Sequence, residues 1–302
     1  MHVALLFIDG LGLGKDDYHN PFFKYPTPNL ERLLGAPLTA SAVGFRRAKV
    51  ALAALDTTLG VEGLPQSATG QTTLFSGVNA AKAIGRHLRG FPDKTLKEIL
   101  KRHGIFKRLL KREFAVDFLN AYRPSFFKKL QQGLPGSYSC STMITHYAGL
   151  RFHSFADLEA GEALYADMTN KRARKLGFAV KEITPQEAGK RLAALIKRYH
   201  FSLYEYYLTD LVGHGREDKT AEEVVRELDH FIGCAVENAA LDETCLIITS
   251  DHGNFEDISG NDHTLNPVPA LLIGSGAERI APKLRTLEDV LPAVLELLDE
   301  NG

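Results

Sequence analysis

The chain has 302 residues, 44% of them hydrophobic, enough to bury a large core in one large domain or two. Lys and Arg number 36 against 37 Asp and Glu, a formal charge of -1, so no global basic field exists to recruit nucleic acid or an anionic membrane, and any anionic ligand has to be bound locally. The three cysteines, Cys140, Cys234 and Cys245, form no Cys-x-x-Cys and point to neither a disulfide framework nor a thiolate metal site, and no segment approaches the roughly 20 apolar residues of a membrane span.

The first predicted element is VALLFI, 3–8, apolar throughout like a strand buried on both faces. It lacks a basic leader and breaks at Asp9, too short for a secretory signal, so the expectation is a cytoplasmic protein in a reducing compartment. GLPQSATGQTTLFSG, 63–77, has a Gly-x-Pro turn followed by a stretch that can start a helix, which puts Ser67 at a helix N-terminus. Free amides and the helix dipole there favour a phosphate, and a serine hydroxyl held against a divalent cation can ionise and become a nucleophile. Thr69 is the rival for that role, and a Ser/Thr-rich loop that only caps the helix is the plainer alternative. KRLLKR, 107–112, reads as a solvated helix face.

FAVDFLNAY, 114–122, is the next predicted strand. From 123 to 186 the pattern changes: RPSFFKKLQQGLPGSYSCSTM is rich in Pro, Gly and Ser and shows no strand–helix alternation, so it reads as an inserted cap. The α/β rhythm then resumes with FSLYEYYL, 201–208, an amphipathic helix over 219–240, TCLIITS at 244–250, PALLIG at 269–274 and a last helix over 286–298. The predicted fold is a doubly wound, mostly parallel sheet, with 1–122 and 187–302 forming the core and 123–186 the cap.

Three of the apolar runs finish on an acid: Asp9, Asp210 and Asp251. Ligands of open α/β sheets bind at the carboxyl ends of strands, so these carboxylates are expected in one crevice. DLVGHG adds His214 four residues after Asp210, SDHGNFE sets His252 beside Asp251, and NDHTLNPVP supplies His263 in a loop stiffened by Pro267 and Pro269. Each has a bland reading, since a strand-end Asp is often a turn or cap residue and His263 alone an ordinary loop histidine. Together the six can fill two metal sites suited to borderline divalent ions such as zinc or manganese.

DGLG (9–12), QSATGQ (66–71), DLVGHG (210–215), SDHGNFE (250–256) and HTLNPVP (263–269) resemble, in order and spacing, the alkaline phosphatase superfamily, in particular its branch of cofactor-independent phosphoglycerate mutases and phosphopentomutases. The resemblance covers roughly 1–85 and 187–302. It implies one divalent ion on Asp210, His214 and His263, a second on Asp9, Asp251, His252 and the nucleophile, and Ser67 as that nucleophile, forming a phosphoserine. Where the branch carries Gly-His after the nucleophile, this chain has Gly70 and Gln71. His87 is the candidate substitute for that imidazole, with Arg86 or Arg89 as phosphate contacts. The cap of about 60 residues is smaller than the second domain of those mutases; within it Arg151, His153, Tyr165 and Asp167 are possible substrate contacts, each with a structural reading beside it. QSATG has neither Pro nor Arg after Ser67, which speaks against a formylglycine sulfatase. The expected activity is therefore a two-metal phosphatase or other phosphoryl-transfer hydrolase on a small phosphorylated metabolite, with a phosphomutase as the alternative and a non-catalytic metal-binding module as the further one.

Overall fold

The computed structural model describes residues 1–134 and 136–299. The strands in chain order are β1 (His2–Ile8), β2 (Arg46–Arg47), β3 (Val50–Leu55), β4 (Val116–Phe118), β5 (Phe201–Tyr206), β6 (Thr244–Thr249) and β7 (Val268–Gly274). They form one sheet in the order β2–β3–β7–β6–β1–β5–β4. β1 lies parallel between β5 and β6, and β4 is parallel to β5. β7 runs antiparallel between β6 and β3, which sets β3 in the direction of β1.

Alternation along β1 explains why it is apolar throughout. Val3, Leu5 and Phe7 face one core, with Phe75, Leu100, Phe106 and Val294, while Ala4, Leu6 and Ile8 face the other, with Leu192, Leu228 and Phe231. Helices Ser67–Ser76, Lys94–His103, Cys140–Tyr147 and Val290–Asp299 contribute to the first layer, and helices Pro28–Leu34, Pro185–Ile196 and Ala221–Asn238 to the second. Each fully buried Leu, Ile or Phe in these layers stabilises the fold by roughly 1.5–3 kcal/mol. This is the doubly wound, mostly parallel α/β architecture read from the sequence.

Two readings need correction. The strand expected over 114–122 is cut to Val116–Phe118, because after Leu119 the chain leaves β5: Asn120 and Ala121 pair instead with Leu164 and His153. β3, VALAAL, had no counterpart among the predicted strands; its Ala-rich run gives no period that separates strand from buried helix. The segment 123–186 holds four short helices, Pro124–Gln131, Cys140–Tyr147, Phe155–Glu159 and Lys171–Lys175, and Cys140, Met143 and Ile144 pack into the same core as β1. Among the described residues no helix is long and apolar enough to cross a membrane.

Candidate metal centre

The directions of the strands decide what meets at one edge of the sheet. β1, β3, β5 and β6 all end there, leading into Asp9, the loop before Ser67, Asp210 and Asp251–His252. β7 is antiparallel, so it begins at the same edge, and the loop before it brings His263 to the same place. Two groups result: Asp210, His214 and His263, and Asp9, Asp251 and His252, each offering one ligand atom per residue within 4.8 Å of one another. Ser67 lies against the second group, its Oγ 3.1 Å from His252 Nε2. Thr69 is fully buried, donates to the Gln66 carbonyl and accepts from Leu88 N–H, so its hydroxyl is spent on the backbone.

The three imidazoles are fixed by main-chain carbonyls. His214 Nδ1 lies 2.6 Å from the Asn261 carbonyl, His263 Nδ1 2.7 Å from that of Pro65, and His252 Nδ1 3.3 Å from that of Gly253. A carbonyl can only accept, so in the neutral rings each Nδ1 carries the proton and each Nε2 presents a lone pair. Those lone pairs face other electron-rich atoms. His214 Nε2 and His263 Nε2 are 3.2 Å apart, and each is within 3.7 Å of Asp210 Oδ1. His252 Nε2 stands 3.4 Å from Asp9 Oδ1 and 3.5 Å from Asp251 Oδ2, and Asp9 Oδ1 is buried without a hydrogen-bonding partner.

Such an arrangement is repulsive unless cations sit between the atoms, and the cavity wall supplies none. The cavity over Ser67, about 330 Å³, is lined by Asp9, Gln71, Glu205, Tyr207, Asp210 and neighbours that include no lysine or arginine. Burial together with the Asp251 and Asp210 carboxylates holds Asp9 well above the ordinary carboxylate range. Burial also raises Asp251, against the pull of His252, and burial with the facing His252 ring pushes His263 down to about 4, which keeps that imidazole neutral and ready to ligate. Nitrogen and carboxylate donors in this number fit two divalent ions.

A surrounding shell aims the groups. Asn254 Nδ2 donates to Asp210 Oδ1 at 2.9 Å, and Gln71 Nε2 donates to Asp251 Oδ2 at 3.0 Å, so the glutamine that stands where the family motif has histidine acts on a ligand-forming carboxylate. Buried Glu256 accepts from Gly12 N–H, Asn254 N–H, the Thr264 hydroxyl and Asn266 Nδ2, tying three site loops together. Gly12 and Gly253 approach this carboxylate so closely that a Cβ on either would fall 2.2–2.3 Å from its atoms.

The remaining predicted contacts are elsewhere. Arg86, His87 and Arg89 line an opening beside Gln66, with His87 Nε2 3.3 Å from the Val61 carbonyl rather than against Ser67. Arg151 pairs with Asp157, buried His153 with Asp117, and Asp167 accepts the Asn170 and Arg172 amides; these three serve the structure. Tyr165 lines a second lobe of about 230 Å³, which shares Ser139, Glu205 and Tyr207 with the cavity over Ser67. Glu205, Tyr207, Asn254 and Glu256 went unread in the sequence. Glu205 had one signal, a carboxylate at a strand position otherwise filled by buried residues.

Residues 178–301 match the Metalloenzyme superfamily. The chain is similar to 2,3-bisphosphoglycerate-independent phosphoglycerate mutases from Desulforudis audaxviator, 30% identical over 39% of this chain, and from Pyrococcus abyssi, 26% identical over 50%. It spans less than half the length of these relatives, 24% and 42%. Among solved structures, the PH0037 protein from Pyrococcus horikoshii superposes with a TM-score of 0.59 at 15% identity, covering 100% of this chain and 98% of that one. The alkaline phosphatase from the Antarctic bacterium TAB5 gives 0.51 at 14%, covering 99% and 97%, and Leishmania mexicana phosphoglycerate mutase 0.51 at 12%, covering 98% and 95%. The fold is that of the alkaline phosphatases, and the match to the Metalloenzyme superfamily lies in its C-terminal part.

Proposed function

We propose that the protein is a two-metal phosphoryl-transfer enzyme that hydrolyses a small phosphate ester, with Ser67 as nucleophile. The observation that carries this reading is the set of imidazole lone pairs and buried carboxylates facing one another around the Ser67 hydroxyl. Asp210, His214 and His263 would hold one divalent ion, manganese or zinc, and Asp9, Asp251, His252 and Ser67 the other. Bound there, such ions supply positive charge for the attacking and leaving oxygens of an in-line displacement.

The chain's own residues do the rest. Ser67 begins the helix Ser67–Ser76, so its Oγ attacks from a helix N-terminus whose dipole favours the phosphoryl oxygens. A phosphoserine forms, and water or a second substrate hydroxyl takes the phosphoryl group from it. Segment 123–186, which reaches the cavity through Ser139 and Tyr165, acts as the cap. Arg86, His87 and Arg89 line the opening beside Gln66, which supports a role for them as contacts to substrate oxygens. The phosphomutase reading stands beside this one, supported by the relatives' names; transfer to a second hydroxyl requires the cap to exclude water.

The test is phosphate release from p-nitrophenyl phosphate and from a panel of alkyl and sugar phosphates by manganese- or zinc-loaded protein. Ser67→Ala should abolish release. Isomerised sugar phosphate or phosphoglycerate without release would establish the mutase instead, and metal binding with neither activity would overturn both.

A further inference from the structure

Glu205 is the one carboxylate on the cavity wall that belongs to neither metal group, yet it is held as firmly as they are. It sits in β5 between Tyr204 and Tyr206, whose rings enter the opposite core layer, so its side chain turns to the Ser67 side of the sheet. Past Phe118 the partner strand has left, and the Asn120 side chain replaces it: Asn120 Oδ1 accepts the Glu205 amide at 2.9 Å and Asn120 Nδ2 donates to the Glu205 carbonyl at 2.8 Å. The Ser141 hydroxyl donates to Oε2, while Oε1 has no protein donor among the described residues. The residue lines both the cavity over Ser67 and the adjoining lobe, at their junction.

A buried carboxyl held by the Ser141 hydroxyl alone, on a residue whose main chain Asn120 clamps, with one oxygen left for the cavity, is costly in a fold that has no use for it. Glu205 lines the wall common to the cavity over Ser67 and the lobe, and with a phosphoryl group over Ser67 the lobe is the adjoining space open to the alcohol part of the ester.

We propose that Glu205 is a catalytic acid and base, protonating the ester oxygen as the phosphoryl group leaves it and recovering a proton from the incoming hydroxyl. This rests on the phosphoryl-transfer reading. In the first step Ser67 enters as its alkoxide, its proton already lost to bulk water; the Oγ–P bond forms, the P–O ester bond breaks, and the leaving alkoxide takes the Glu205 proton. In the second step water, or a substrate hydroxyl, gives a proton to the Glu205 carboxylate as its oxygen attacks the phosphoserine, and Ser67 leaves as the alkoxide. The ionisable groups that line the cavity and lobe with Glu205 or act on it are Asp9, Asp210 and Asp251 at the metal groups, Tyr122, Tyr165, Tyr207 and the Arg123 guanidinium on the walls, and Cys140 on the Ser141 helix. Burial, with the Asp251 charge, raises Glu205 to about 7, so both protonation states are available near neutrality.

The experiment compares leaving groups. A p-nitrophenolate departs without a proton, whereas an alkoxide needs one. With metal-loaded wild type, Glu205→Gln and Ser67→Ala, kcat and kcat/KM are measured for p-nitrophenyl phosphate and for alkyl esters such as glycerol phosphate and ribose 5-phosphate, across pH 5–9. Glu205→Gln should lower kcat/KM of the alkyl esters by roughly 100-fold or more, leave kcat/KM of the aryl ester, which ends at phosphoserine formation, within about threefold while lowering kcat for both through the second step, and remove the fall in alkyl-ester kcat/KM toward high pH. The aryl ester also reports that the variant folds and holds its metals. Equal loss of kcat/KM on both esters, loss on neither, or a wild type that cleaves the aryl ester alone would overturn the role of Glu205 while leaving the phosphatase standing. Aryl-ester turnover that persists in Ser67→Ala, or is absent from wild type, would overturn the underlying reading and this proposal with it.

Discussion

Gln71 matters through one hydrogen bond. Its amide reaches Asp251 Oδ2, and removing that donor leaves a fully buried carboxylate oxygen free to turn away from its metal. Loss of such an outer partner typically costs 10–100-fold in metal affinity. Gln71→Ala is therefore expected to weaken one of two ions by about that factor in a titration, with the ion on Asp210, His214 and His263 unchanged. Asp251→Ala and His252→Ala should go further and halve the metal content; two ions per chain in either variant would refute the ligand assignment. Glu205 allows a test at the same scale in metal-free protein. Its value, raised from 4.5 to about 7, means that the folded state keeps a proton the unfolded state has released, so stability falls as pH rises through that window. The excess stability of Glu205→Gln over wild type should grow by roughly 3 kcal/mol between pH 4.5 and 7.5, read by denaturant unfolding. Taking the difference between variants cancels His263, whose lowered value acts in the opposite sense. The residues of the two candidate metal groups were legible in the sequence because Asp and His at the ends of buried strands are rarely there for packing. The roles of Glu205, Asn254 and Glu256 were not, because they depend on what surrounds them: Glu256 is 244 residues from Gly12 and Asn254 44 from Asp210.

The helix Ser67–Ser76 is polar in sequence yet buried along nearly its whole length. Its hydroxyls are absorbed by backbone: Thr73 donates to the Thr69 carbonyl and accepts from Ala80 N–H, and Ser76 donates to the Thr72 carbonyl. Gly70 is where this helix meets the end of β6, and a Cβ there would lie 2.5 Å from the Asp251 carbonyl oxygen. Gly70→Ala must push the helix from the sheet, costing about 1–3 kcal/mol and separating Ser67 from His252. The expected result is a lower melting temperature together with a loss of aryl phosphate turnover larger than the loss of fold; a variant with unchanged turnover would show that helix and strand are not rigidly coupled. The helix itself could be foreseen from its turn and composition. The direction of β7 could not, since an apolar run of seven residues reads the same parallel or antiparallel, although that direction is what carries His263 to the site.

At the scale of the molecule, the buried carboxylates make metal removal a stability experiment. Exhaustive chelation should lower the melting temperature by several degrees, since each ion present at a hundredfold its Kd contributes about 2.7 kcal/mol; an unchanged transition would mean the site does not bind divalent ions in the folded state. The sheet order has a further consequence, one of timing. β1 lies inside the sheet yet finds its partners only in β5 and β6, which begin at Phe201 and Thr244, so this strand precedes both its neighbours by some two hundred residues of chain. At ribosomal speeds of roughly 5–20 residues per second, an apolar segment waits on the order of 10–40 s for its neighbours. During synthesis the strand that later presents Asp9 is thus an exposed, adhesive stretch, and the cell has to shelter it until the chain past residue 206 has emerged.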